Sequence, residues 1–266
     1  PDCQVLHPDL MPAIEVAKEL AMIGASRKGE LSVTATLSAE GLDIAVSGGK
    51  PLDGPFQMQL GQEAQRLGLA RLTWDDEVIA TLYQPFQTFG KAKVTPPPGA
   101  FLQATEHGEK ALLNAVREII GDASRVVDLF AGCGTFSLPL AETAEVHAVE
   151  GLRDMMKALD QGWRQSKGLK RVTTETRDLF RNPIIASDLR YDAAVIDPPR
   201  AGAEAQALEL AQSKIPNIAF VSCNPVTFAR DAATLIRADY QLEWVQVVDQ
   251  FRWSSHIEVV GKFTRA

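Results

Sequence analysis

Apolar side chains at Leu10, Ile14, Ala17 and Leu20/Ala21 recur at the spacing of one helix face and predict an amphipathic helix over residues 9–23. Two alternating runs follow, 31–37 and 42–46. Ala39-Glu40-Gly41 separates them, and together they read as a hairpin. Beyond Gly48-Gly49 and Pro51 lies a short stretch of mixed polarity, to which the pattern assigns no element. Two further β-like runs cover 69–74 and 78–83. The first 98 residues thus predict a small α+β domain. Pro85, Pro96, Pro97, Pro98 and Gly99 cannot continue a helix or a central strand, so the boundary is drawn there.

From residue 99 the rhythm changes. Helices over about 105–120, 152–167, 203–214 and 226–236 alternate with short apolar strands at 125–130, 145–149, 171–176, 191–196 and 218–222. A further helix is expected between 135 and 145, and two strand-like runs, 242–248 and 257–263, close the chain. Alternation of this kind predicts a doubly wound α/β sheet over 99–266. Ligands of such sheets bind outside the carboxyl ends of the strands.

Composition narrows the class. The chain has 266 residues, 45% hydrophobic and 23% charged, which excludes a disordered, collagenous or disulfide-built protein. No apolar run approaches the roughly 18 residues of a membrane-spanning helix, so no membrane partner is expected. Three scattered cysteines, Cys3, Cys133 and Cys223, fit a reducing, cytoplasmic compartment. The chain opens Pro1-Asp2-Cys3 with no methionine and no signal-like stretch, and reads as part of something longer. Acidic residues outnumber basic ones 34 to 27, for a net charge of −7. Bulk charge therefore gains little from phosphate backbones, and any nucleic-acid role needs a local site or a further segment.

The strand ends carry the chemistry. Asp128-Leu-Phe-Ala-Gly-Cys-Gly-Thr135, Glu150, Asp178, Asp197-Pro-Pro-Arg200 and Ser222-Cys-Asn-Pro225 all fall there. Gly132 and Gly134 follow a strand and would let a ligand approach the backbone. Ser137 stands where the dinucleotide fingerprint has its third glycine. Glu150 ends the next strand, where an acid can hydrogen-bond both hydroxyls of a ribose. Asp128 with this loose glycine pattern suits S-adenosylmethionine better than a dinucleotide; a plain tight turn with a solvated acid gives the same pattern. Asp178 reads either as an acceptor for an adenine amino group or as an ordinary helix cap.

Cys223 precedes a helix N-terminus, whose partial positive charge is expected to lower its pKa and favour thiolate. Cys133, between glycines, reads as a small filler. Asp197, held by two prolines, offers acceptors to a planar ring such as a nucleobase. Glu258 lies on an alternating strand, sharing a face with His256 and Val260. It is either a general base of raised pKa or a surface glutamate. His256 reads as a packing or hydrogen-bonding residue.

Phe101-Leu-Gln103, Asp128–Pro139, Val149-Glu150-Gly151, Asp197-Pro-Pro-Arg-Ala-Gly202, Val221–Asp231 and His256-Ile-Glu258 occur in this order. Together they resemble the RNA uracil-C5 (5-methyluridine) methyltransferase family, with the leaning towards its 23S ribosomal RNA members. The resemblance is dense over 99–266 and loose over 1–98. It implies a Rossmann-like, S-adenosylmethionine-dependent enzyme in which Cys223 is the nucleophile and Glu258 the base. It further implies that Phe101 and Asp197 hold the uracil, and that Gln103, Asp128, Phe130, Gly132, Gly134, Thr135, Glu150, Asp178 and Asp197 line the cofactor.

The smaller domain would lie near the RNA, and a monomer is expected. Thr135 stands where asparagine is common, and Phe251-Arg-Trp-Ser-Ser255 lacks a proline common there. Cys3 resembles the last of four iron–sulfur ligands of ribosomal-RNA members; a cluster is not expected in this chain alone. The alternatives are a transfer-RNA uracil methyltransferase, a small-molecule or other-base methyltransferase on the same fold, and a catalytically silent fragment that binds S-adenosylmethionine or RNA.

Overall fold

A computed structural model of the chain describes residues 3, 5–26, 29–251 and 253–265. The chain divides into two compact units, Pro1–Gln87 with Thr95–Ala100, and Thr88–Val94 with Phe101–Ala266.

The first unit contains α1 (Pro12–Gly24), β1 (Ser32–Ser38), β2 (Gly41–Ser47), α2 (Gly54–Arg66), β3 (Arg71–Trp74) and β4 (Glu77–Thr81). Its sheet runs β1-β2-β3-β4, antiparallel except for the β2/β3 pair. Helix α2 occupies the stretch to which the sequence pattern gave no element. Asp53 caps it by accepting the Phe56 N–H at 2.8 Å, Pro55 stands in its first turn, and Phe56, Leu60 and Ala64 form its buried stripe. Glycines, glutamines and a proline dilute that stripe, which is why the pattern is faint.

Trp74 is fully buried in this core, edge-on to Phe56 at 5.2 Å, with its indole N–H given to the Lys50 carbonyl. The ring fits because two neighbours have no side chain. A Cβ on Gly24 would lie 2.0 Å from the indole, and one on Gly49 2.1 Å.

Asp43 and Arg71, partners across β2/β3, form a buried two-point ion pair at 2.8 and 2.6 Å, and Arg71 also donates to the Pro96 carbonyl.

Hairpin β5 (Gln87–Phe89)/β6 (Ala92–Val94) leads into the second unit. Its residues from Thr88 onward, on the N-terminal side of the expected boundary, pack with that unit against α5 (Arg153–Gln165). The other elements there are α3 (Glu106–Ile120), β7 (Arg125–Leu129), α4 (Ser137–Leu140), β8 (Glu145–Glu150), β9 (Val172–Thr176), β10 (Ala193–Ile196), α6 (Glu204–Gln212), β11 (Asn217–Ser222), α7 (Pro225–Arg237), β12 (Gln241–Val248) and β13 (Glu258–Thr264).

The seven-stranded sheet has the order β12-β13-β11-β10-β7-β8-β9. It is parallel from β11 to β9, while β13 runs antiparallel to both its neighbours. This is the doubly wound α/β architecture expected of residues 99–266. The winding reverses between β7 and β10, the crevice where ligands of such sheets bind. The helix expected between 135 and 145 is only one turn, Ser137–Leu140. No helix among the described residues is long and apolar enough to cross a membrane.

Removing one partner of the Asp43–Arg71 pair strands a buried charge. Asp43→Ala is therefore expected to lower the unfolding free energy of the full chain by about 3–5 kcal/mol. Urea denaturation checks this, and a loss below about 1 kcal/mol would mean the pair is solvated.

Candidate active site

The polar strand ends of the second unit gather on either side of the winding reversal. Asp128 lies on β7, fully buried. One carboxylate oxygen accepts the Ser137 hydroxyl at 2.5 Å, while the other has no partner. Burial, with Glu150's charge adding to it, raises its pKa to about 7 against the Ser137 hydrogen bonds. Asp197 follows β10, its N–H bonded to the Leu129 carbonyl of β7. Burial and the charges of Glu258 and Asp128 hold its carboxyl well above the usual range.

Glu150 ends β8 as a preformed acceptor. One oxygen takes the Gly132 N–H at 3.2 Å and the other the Leu152 N–H at 3.0 Å, fixing the carboxylate while leaving lone pairs on both. Gly132 has φ +55° and open space where a side chain would point, so a ligand can approach its backbone. Gly134 differs. A Cβ there would meet Leu138 and Leu159 within 3.0 Å, so its bareness serves packing. Thr135 is half-buried in the same loop. Cys133 is buried, and its thiol is pushed up to about 12 by that burial, as suits a filler.

Phe130, in the left-handed region at φ +63°, turns its ring to Phe180 at 5.3 Å. Phe180, half-exposed, is a site-side aromatic that the pattern gave no reason to single out. Asp178 caps a turn, not a helix, accepting from the Phe180 and Arg181 N–H groups. Phe101 is 73% exposed.

Cys223 sits partly buried between β11 and α7. Asn224 does two jobs beside it. Its oxygen accepts the Val226 N–H to cap α7, and its amide donates to the Arg200 carbonyl at 2.9 Å. Thr227 donates to the same carbonyl, and the buried Asp231 accepts the Ala203 N–H at 2.7 Å. The loop carrying Cys223 and the Asp197–Arg200 loop are thereby stitched together. The direction expected for the thiol is reversed, however. Burial, then the charges of Glu258 and Asp197, raise its pKa, and those effects outweigh the hydrogen bond from its own backbone N–H and the charge of Arg200.

Glu258 is buried at the first residue of β13, opposite Val248, with its pKa raised by burial to about 7. The strand starts at Glu258, so His256 lies outside it, exposed, with its N–H on the Ser254 hydroxyl. Arg252, within the stretch lacking the proline, lies outside the described residues, as do Pro1, Asp2 and Gln4. Cys3 is exposed, and the backbone N–H groups of Leu6 and Val5 hold its thiol below the usual value. Among the described residues no three or more His, Cys, Asp or Glu side chains are placed so that they could hold a metal ion together.

A family model described as tRNA (uracil-5-)-methyltransferase matches residues 94–265. The chain belongs to this uracil-5-methyltransferase family. An uncharacterized RNA methyltransferase of Brucella suis is 43% identical over 99% of this chain, and the chain spans 64% of that relative's length. The 23S rRNA (uracil(1939)-C(5))-methyltransferase RlmD of Shewanella halifaxensis is 34% identical over 68% of this chain and 42% of its own. The Pyrococcus abyssi tRNA (uracil-54, C5)-methyltransferase, solved with S-adenosyl-L-homocysteine, superposes with a TM-score of 0.75. It is 21% identical, and the match covers 99% of this chain and 69% of that one. That likeness extends the fold to both units.

In this member of the family, Asp128 gives a testable electrostatic signature. Its folded pKa, about 7, lies above that of an unfolded aspartate, so it favours folding most at low pH and loses that contribution as pH rises towards 7. Asn at this position keeps the acceptor for Ser137 and removes the buried charge. Asp128→Asn is expected to stabilise the fold at pH 8 by about 1–3 kcal/mol, and the gain should vanish towards pH 4. Chemical denaturation at several pH values measures this; a gain independent of pH would contradict it.

Proposed function

We propose that the chain transfers a methyl group from S-adenosylmethionine to C5 of a uridine in RNA, ribosomal RNA ahead of transfer RNA, through a covalent bond between Cys223 and C6. The observation that carries this reading is the meeting of Cys223, Asp197 and Glu258 at adjoining strand ends, close enough for both carboxylates to raise the thiol's pKa. Family membership supports it, and the 34% identity to a 23S rRNA enzyme favours ribosomal RNA.

The residues present fit the cofactor. Glu150, with both oxygens anchored and lone pairs to spare, suits the two ribose hydroxyls, and the open side of Gly132 lies next to it. Asp178 and the Phe130 ring suit adenine; Asp128, Thr135, Gln103 and Asp197 would complete the wall. The charge of Glu150 bearing on Asp128, and those of Asp128 and Glu258 bearing on Asp197, favour a cationic ligand, because a positive charge offsets the repulsion. When bound, S-adenosylmethionine supplies an electrophilic methyl on a cationic sulfur.

C5 of uracil is too weakly nucleophilic to take that methyl unaided. Cys223 thiolate bonds to C6 while the C5=C6 electrons move towards the C4 oxygen, which makes C5 reactive. After C5 is methylated, the Glu258 carboxylate accepts the C5 proton. The C5–H electrons re-form C5=C6, and the Sγ–C6 bond breaks to return thiolate. Asp197 accepts from the uracil edge, and the exposed Phe101 covers its face once the base has left its stack.

RNA carrying 5-fluorouridine tests the nucleophile, since C5 then holds fluorine in place of the proton that Glu258 removes. With cofactor present the adduct is expected on Cys223 and absent in Cys223→Ala; an adduct in that variant would sink the assignment. On ordinary RNA, Glu258→Gln should slow release at least about 100-fold and let adduct accumulate. In the unmodified chain release should fall as pH drops below about 7, where Glu258 takes up a proton. Mapping 5-methyluridine in ribosomal and transfer RNA of a deletion strain separates the two substrates.

A further inference from the structure

Gln250 lies between β12 and β13 and is 7% exposed, a buried amide in a segment with no regular structure. Its oxygen accepts two hydrogen bonds from Thr105, the backbone N–H at 3.1 Å and the hydroxyl at 3.3 Å. The Thr105 hydroxyl already accepts the Gly108 N–H at 3.0 Å as the cap of α3, so its own proton is the one directed at Gln250. A backbone N–H can only donate, and the oxygen of the Gln250 amide must therefore face Thr105. The amide nitrogen then points the other way and donates to the Gln103 oxygen at 3.1 Å. That leaves the Gln103 nitrogen 3.5 Å from an Asp197 carboxylate oxygen. Room for this chain is kept by Gly108, where a Cβ would lie 2.3 Å from the Gln250 oxygen.

We propose that Gln250 is a positioning residue that fixes the polarity of the Gln103 amide, so that Asp197 meets a proton donor and keeps its other oxygen as an acceptor for substrate. This rests on the reading above that Gln103 and Asp197 face the cofactor and the uracil. The direction of the whole chain is set at its far end, by one backbone N–H that cannot be inverted. Both carboxamides could turn over without changing shape. Only the Thr105 donors distinguish the two orientations, and Gln250 transmits that choice. With the Gln103 amide reversed, two oxygens would face each other beside a carboxyl already crowded by Glu258 and Asp128.

Gln250→Glu is nearly the same shape and inverts the instruction. Its carboxylate still receives Thr105 but presents an acceptor to Gln103, whose nitrogen must turn to it and away from Asp197. Gln250→Met removes the instruction altogether. In ligand-free full chain, the Gln103 side-chain amide signals in a proton–nitrogen NMR spectrum, assigned by their loss in Gln103→Met, should move by more than a linewidth in both Gln250 variants. By calorimetry, S-adenosylhomocysteine should bind about tenfold more weakly to Gln250→Glu than to the unmodified chain, the effect of losing one hydrogen bond to a charged group. For Gln250→Met the expected loss is about threefold.

Gln103 signals that stay in place in either folded variant, with only thermal stability reduced, would overturn the positioning role. If the unmodified chain takes up no S-adenosylhomocysteine, the proposed function fails, while the Gln103 signals still decide the role of Gln250.

Discussion

Asp197, just beyond β10, lies within reach of the charges of Asp128 on β7 and Glu258 on β13, and burial raises the pKa of all three carboxyls. Burying one carboxyl is costly, and burying several together compounds the cost unless protons or a cation accompany them. Each therefore holds its proton more tightly than a surface acid does. A protein gains nothing in stability from such a cluster. It persists because strands β7, β10 and β13, each buried on both faces, fix their ends against relaxation.

Holding the loops at those ends in place falls to hydrogen bonds with the backbone. Asn224 and Thr227 grip the Arg200 carbonyl, and Asp231 grips the Ala203 N–H. Glu150 is steadied by two backbone donors. Gln250 extends the same principle to Gln103. Polar groups at these strand ends are thus oriented by hydrogen bonds whose direction is dictated by backbone N–H and C=O groups, which cannot change role.

Much of this was legible in the sequence. The alternation after residue 99 predicted the parallel strands closely, the polar strand ends singled out Asp128, Glu150, Asp197 and Cys223, and the alternation of its own strand singled out Glu258. What escaped depended on neighbours distant in the chain. Cys223 was expected to be acidified by the helix that follows it. Burial in the fold reverses this, joined by the charges of Glu258, 35 residues after it, and Asp197, 26 residues before. Gln250 has no local signal, since a glutamine in a loop is ordinarily solvated. Phe180 joins Phe130 only through the fold. Helix α2 hid for the opposite reason. Its stripe of Phe56, Leu60 and Ala64 and its Asp53 cap are local, but glycine and glutamine between them blur the period.

The one reversed strand of the large sheet has a geometric consequence. In a wholly parallel sheet every strand delivers its last residue to the same rim, and its first residue belongs to the opposite rim. Because β13 runs against its neighbours, its opening residue arrives where β7, β10 and β11 close. Register pairs Ser222, the final residue of β11, with Val259, so Cys223 and Glu258 stand one step beyond the same rung. A single change of direction near the end of the chain brings together two groups 35 positions apart, with no long loop needed to span the sheet.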